Sequence, residues 1–81
     1  MDYKAMGSRI QQRRKRLGIT QEQLAEKTGV STSFIGHIER GTQIPSVETL
    51  WKICRAIGCS MDTVITKNIV AKIDAKLQFV Q

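Results

Sequence analysis

Apolar residues recur along most of this chain at spacings of three and four, the mark of helices with one buried side. Met6, Ile10 and Leu17 share one side of a segment from about 4 to 17. Leu24 and Ala25 point inward from 21–28, and Ile35 and Ile38 from 32–40. Val47, Leu50, Ile53, Cys54 and Ile57 do so from 47–57, and Val64 and Ile65 from a short segment at 61–66. The pattern predicts five helices and no strand before residue 68. Beyond Asn68 the spacing fits two periods. Ile69, Ile73, Leu77 and Val80 make a helical stripe, while Ile69, Ala71, Ile73, Ala75, Leu77 and Phe79 alternate as in a strand. The alanine and lysine content favours helix. The core looks complete by Ile65, so the apolar side of this tail is expected to meet a partner, most simply a second copy of the chain.

Glycine supplies the punctuation. Gly18, Gly29, Gly41 and Gly58 stand where helices would stop, in the left-handed conformation that ends them. Gly18-Ile19-Thr20, Gly29-Val30-Ser31 and Gly58-Cys59-Ser60 repeat one phrase: glycine, an apolar residue, a hydroxyl. The hydroxyl accepts the unbonded N–H groups at the start of the next helix. Thr20 with Gln23 forms a capping box, and Pro45-Ser46 gives one further start after a looser turn.

Composition narrows the class. The 81 residues, 41% hydrophobic and 25% charged, suit one globular domain with a single small core and no room for an enclosed substrate cavity. No apolar run reaches the roughly 20 residues of a membrane span, and no secretory leader is visible, so the expected location is cytoplasmic. Thirteen Lys and Arg against seven Asp and Glu leave a formal charge of +6, and five of the thirteen lie between Arg9 and Arg16. That field suits a polyanion. Cys54 and Cys59 read as structural thiols, because a metal site needs more soft ligands than two. No glycine-rich phosphate loop, metal cluster or nucleophile–base pair stands out. The chain is expected to need no cofactor, metal or small-molecule ligand and to be no enzyme.

Only Gly29-Val30 separates the second helix from the cap of the third, so the two should cross steeply and leave one side of the third helix open. On a helical wheel Ile35 and Ile38 lie inward, while Ser33, Gly36, His37 and Arg40 fall opposite, with Thr32 at the amino end. This open face is small, polar or cationic and carries no acid. It could enter a major groove, where base edges offer donors, acceptors and thymine methyls. Phe34 flanks the stripe, as a core edge or a contact to sugar or methyl. Trp51 suits packing or a dimer contact.

The stretch Thr20-Gln-Glu-Gln-Leu-Ala-Glu-Lys-Thr-Gly-Val-Ser-Thr-Ser-Phe-Ile-Gly-His-Ile-Glu-Arg-Gly41, followed by Pro45-Ser-Val-Glu-Thr-Leu50, resembles the Cro/phage-repressor type of helix-turn-helix family, also called the xenobiotic-response-element type. The resemblance covers about Arg9 to Ile65. It implies an all-α, compact, five-helix, lambda-repressor-like DNA-binding domain over 9–65, with its helix-turn-helix motif at 20–39 and a C-terminal extension at 66–81 serving dimerisation. It further implies a transcriptional regulator, most simply a repressor, binding double-stranded DNA at a palindromic operator as a homodimer. Carried over by position, Gln21, Arg40 and Thr42 would meet phosphate, and Thr32, Ser33 and His37, with Gly36 beside them, would meet bases. Two departures stand out: Thr28 where an apolar residue is common, and Gly36 where a side chain often helps reading. Wheel geometry and resemblance together pair Arg14 with Glu39 in a buried ion pair that ties the first helix to the third. The alternative within the class is an antitoxin or restriction-controller type, which also binds DNA but answers to a partner protein. A protein-interaction module built on the same scaffold is the alternative of a different class.

Overall fold

The computed structural model describes residues 2–65, so the expectations for the tail at 66–81 lie outside the described residues. The chain forms α1 (Tyr3–Arg16), α2 (Gln21–Thr28), α3 (Thr32–Arg40) and α4 (Val47–Ala56), and 61–65 are helical as α5. No strand occurs among the described residues.

Each helix begins where a side chain takes up its first N–H groups. Asp2, Thr20, Ser31 and Ser46 accept from the backbone amides of Ala5, Gln23, Phe34 and Thr49, and Ser60 accepts from the Thr63 amide. Thr20 and Gln23 complete the reciprocal capping box. The stops are equally uniform. The amide of the residue after each glycine donates five positions back: Ile19 to the Arg14 carbonyl, Val30 to Ala25, Thr42 to His37 and Cys59 to Cys54. This six-to-one bond brings the paired residues' side chains together around a glycine whose φ is near +70°. Ile19, Val30 and Cys59 use the contact to pack against the core.

The core is one cluster of Met6, Ile10, Leu24, Ala25, Ile35, Ile38, Leu50, Ile53, Cys54, Ile57 and Val64. Three expected members are outside it, of which Ile65 is partly buried against its edge. Leu17 is 50% exposed because α1 ends at Arg16 and the turn tucks Ile19 inward instead. Val47 is 75% exposed because it opens α4 before the helix reaches its neighbours, and packing starts at Leu50. Thr28 is buried, and its hydroxyl donates to the Leu24 carbonyl at 2.8 Å, so a hydroxyl replaces the apolar group without an orphaned donor. No helix of the described residues is long and apolar enough to cross a membrane.

Arg9 and Arg13 tie α1 to the carboxyl ends of later helices. Arg9 Nη1 donates to the Val64 carbonyl at 3.0 Å, and Arg13 donates to the Ile57 and Gly58 carbonyls at 3.1 and 2.8 Å. A cation there complements the negative end of the helix dipole. Part of the basic run is thus internal scaffolding. Trp51 stays 48% exposed, with the Arg55 guanidinium carbon 4.8 Å from its ring centre, a cation–π contact on the surface of α4.

Both cysteines are free thiols. Burial, with the adjacent Cys59 thiol adding like charge and a hydrogen bond, pushes the Cys54 thiol from 9.0 up to about 12. Its thiolate fraction at neutral pH is then well below that of an ordinary thiol, and the thiolate is the reactive form. Iodoacetamide should therefore label native protein once, at the partly exposed Cys59, and reach Cys54 only in denaturant. Peptide mass mapping reads the sites; equal labelling of both in native protein would contradict the packing.

Candidate nucleic-acid interface

One carboxylate ties α1 to the two helices of the motif. Glu39, 5% exposed on the inner side of α3, accepts from Arg14 Nε at 2.6 Å and Arg14 Nη2 at 3.1 Å. Arg14, itself 7% exposed, sends Nη1 to the Ile19 carbonyl at 2.8 Å. Gln21 Nε2 donates to Glu39 Oε1 at 3.0 Å. The guanidinium–carboxylate fork is bidentate, the geometry that best satisfies both ions away from water. It links α1, the turn at Ile19, the start of α2 and the end of α3. Gln21 is half-buried and bound to Glu39, so its amide faces the scaffold as well as the motif's outer surface.

Beside this network α1 lies directly on α3. A Cβ on Gly7 would stand 2.1 Å from the Ile38 carbonyl oxygen and 2.7 Å from that of Glu39. Periodicity gave no hint of Gly7, which stands in mid-helix. Only a residue without a side chain permits this approach, which fixes how far α3 protrudes.

With its inner side anchored, α3 presents Thr32, Ser33 and Arg40 as exposed residues and His37 as half-exposed. The Glu39 charge is buried and paired, so the open side carries no free acid. Gly36 departs from expectation: it is buried. The Arg40 guanidinium, one turn on, folds back so that Nη1 lies 3.1 Å from where a Cβ would be. Absence of a side chain at 36 makes room for that cation. Past the end of α3, His37 Nδ1 lies 3.0 Å from Thr42 Oγ1, and the Thr42 hydroxyl donates to the His37 carbonyl at 3.1 Å. Phe34 is half-buried against the core edge. Among the described residues no three His, Cys, Asp or Glu side chains cluster as metal ligands would.

Two short helices joined by a three-residue turn, the second with its outer face open and its inner face locked, define a helix-turn-helix domain. The chain belongs to that family: the Helix-turn-helix family model matches residues 10–64. Among curated relatives, the HTH-type transcriptional regulator SinR of Bacillus subtilis is 36% identical over 73 residues, 89% of this chain. This chain spans 66% of SinR's length, just under two thirds. Among solved structures, the P22 c2 repressor in complex with a synthetic operator superimposes with a TM-score of 0.71 at 41% identity, covering 73% of this chain and 89% of that one. The restriction-modification controller protein C.AhdI from Aeromonas hydrophila superimposes with a TM-score of 0.76 at 28% identity, covering 79% and 97%.

Proposed function

We propose that this chain is a sequence-specific, duplex-DNA-binding transcriptional repressor that acts by occupying its operator. The observation that carries the reading is the open, acid-free polar side of α3, held at a fixed angle by the buried Arg14–Glu39 pair. A helix so presented fits the major groove, with Thr32, Ser33 and His37 toward base edges. Arg40, folded over Gly36, and Gln21 at the start of α2 would lie toward phosphate. The P22 c2 repressor, seen with its operator, supports the same docking. The near-complete coverage of C.AhdI favours, as a second reading, a restriction-modification controller, which would use the same DNA-facing surface.

The reading includes a homodimer on a palindromic operator, with the extension at 66–81 as a dimerisation element. Ile44 and Val47, 60% and 75% exposed, border an apolar groove of about 200 Å³ with Tyr3, Leu50, Met61 and Ile65. Apolar surface of this kind favours association. The proposal needs no metal, cofactor or catalysis, and a cytoplasmic location goes with it.

Salt titration of duplex binding separates this reading from a protein-interaction module. If each subunit neutralises about three to five phosphates, the log–log slope of affinity against salt should be about −5 to −9 for a dimer. Arg9 and Arg13 already serve helix ends, which places the expectation toward the shallow end. A flat response between low and physiological salt would favour protein docking.

A further inference from the structure

We infer that Thr42 is a positioning residue for His37. It fixes the neutral ring as the Nδ1–H tautomer, so that Nε2 faces DNA as a hydrogen-bond acceptor and selects a base bearing an amino group, adenine or cytosine, at that position. The base assignment rests on the DNA-binding reading; the ring assignment stands apart from it.

One helix stop breaks the pattern of the other three. At three of the four glycine stops the residue after glycine is apolar and packs inward: Ile19, Val30 and Cys59. At the fourth it is Thr42, polar and exposed. The backbone there is of the same type, with the Thr42 amide donating to the His37 carbonyl at 2.9 Å and the Gly41 amide to Ile38 at 3.0 Å. That geometry brings the side chains five residues apart into contact. Here the contact joins a hydroxyl to an imidazole on the open side of α3.

Proton counting sets the tautomer. The Thr42 hydroxyl has one proton and two neighbours, the His37 carbonyl at 3.1 Å and Nδ1 at 3.0 Å. The carbonyl can only accept, so both contacts are hydrogen bonds at once only when Nδ1 carries the ring proton and donates to the hydroxyl oxygen. The competing contact, Arg40 Nη2 to Nδ1, is 3.4 Å, beyond the usual range for such a bond. Nε2 is left with a lone pair, and no hydrogen bond reaches it among the described residues. In the major groove the matching donors are adenine N6 and cytosine N4, whereas guanine N7 and O6 are acceptors and would repel it. Thr42 as a phosphate donor is the competing role, and its hydroxyl proton and amide are both already engaged with His37.

His37 is the only histidine in the chain, so long-range 1H–15N spectra of the uniformly labelled protein report this ring alone. Spectra are taken on the free protein at a pH where the ring shifts no longer move. The wild type should show protonated Nδ1, and Thr42→Val should return the ring to protonated Nε2. Protonated Nε2 in the wild type, or no change in Thr42→Val, would overturn the ring assignment without touching the DNA-binding reading. Sites then selected from a random duplex library by wild type should prefer adenine or cytosine over guanine about 2- to 10-fold at the position whose preference His37→Ala abolishes. Thr42→Val should admit guanine there and leave other positions unchanged. A guanine preference in the wild type would overturn the base assignment; no enrichment at any position would instead remove the DNA-binding reading and the base assignment with it.

Discussion

An Arg14→Met protein is expected to lose about 3–5 kcal/mol of stability, because the substitution strands the Glu39 carboxylate in a site that water cannot reach. A domain of 81 residues has in total about 4–12 kcal/mol at the usual 0.05–0.15 kcal/mol per residue. The variant should therefore be largely unfolded near body temperature or melt far below the wild type. The expectation follows from geometry: Arg14 and Glu39 are 7% and 5% exposed and joined by two hydrogen bonds. Arg14 also holds the Ile19 carbonyl, which would lose its partner as well. Glu39→Gln should be damaging in its own right, since it weakens both the Arg14 fork and the acceptor for Gln21. The Arg14→Met/Glu39→Gln double variant should lose less than the sum of the two, as residues of one network do. The rival role, a phosphate contact, predicts an unchanged melting temperature and weaker DNA binding only. Thermal unfolding by circular dichroism decides between them.

Gly7→Ala should also destabilise, against the usual sign of such a change. In an open helix interior alanine is favoured over glycine by about 1 kcal/mol. Here the added methyl would stand 2.1 Å from the Ile38 carbonyl oxygen, and backbone cannot yield as a side-chain tip can. α1 and α3 must move apart, and overpacking of this kind costs about 1–3 kcal/mol or more. Melting should fall by more than about 5 °C. Gly36→Ala is the matching control. The atoms nearest its new methyl are the end of the Arg40 side chain, at 3.1 Å, which can shift, so stability should hold or rise slightly. A Gly7→Ala protein that melts above the wild type would show that α1 and α3 do not lie this close.

What could be read from the sequence was what local chemistry controls. The glycine–apolar–hydroxyl phrase located three stops and starts because left-handed glycine and hydroxyl caps act within a few residues. Ile10, Ile35, Ile38 and Ile53 were legible from periodicity alone. Periodicity misplaced Leu17 and Val47, since a wheel gives direction but not where the neighbouring helix ends. Charge was harder still. Arg9 and Arg13 belong to the basic run that reads as a field for a polyanion, but they bind carbonyls 55 and 44 residues away, a distance no local pattern encodes. Gly7 and the burial of Gly36 also depend on what lies opposite them in three dimensions. In the candidate site, Thr32, Ser33 and Arg40 could be placed on the open side from spacing. The hold of Glu39 on Gln21 and of Thr42 on His37 needed coordinates.

The open side of α3, we propose, reads duplex DNA. Selection from a random duplex library, run in parallel with wild type and with a Thr32→Ala/Ser33→Ala/His37→Ala variant shown by circular dichroism to be folded, tests it most directly. The wild type should enrich a motif of two related half-sites about 10 base pairs apart, centre to centre. The triple variant should retain weak, salt-sensitive binding and enrich nothing. Folded wild type that enriches no sequence, or a triple variant that enriches the same motif, would contradict the assertion.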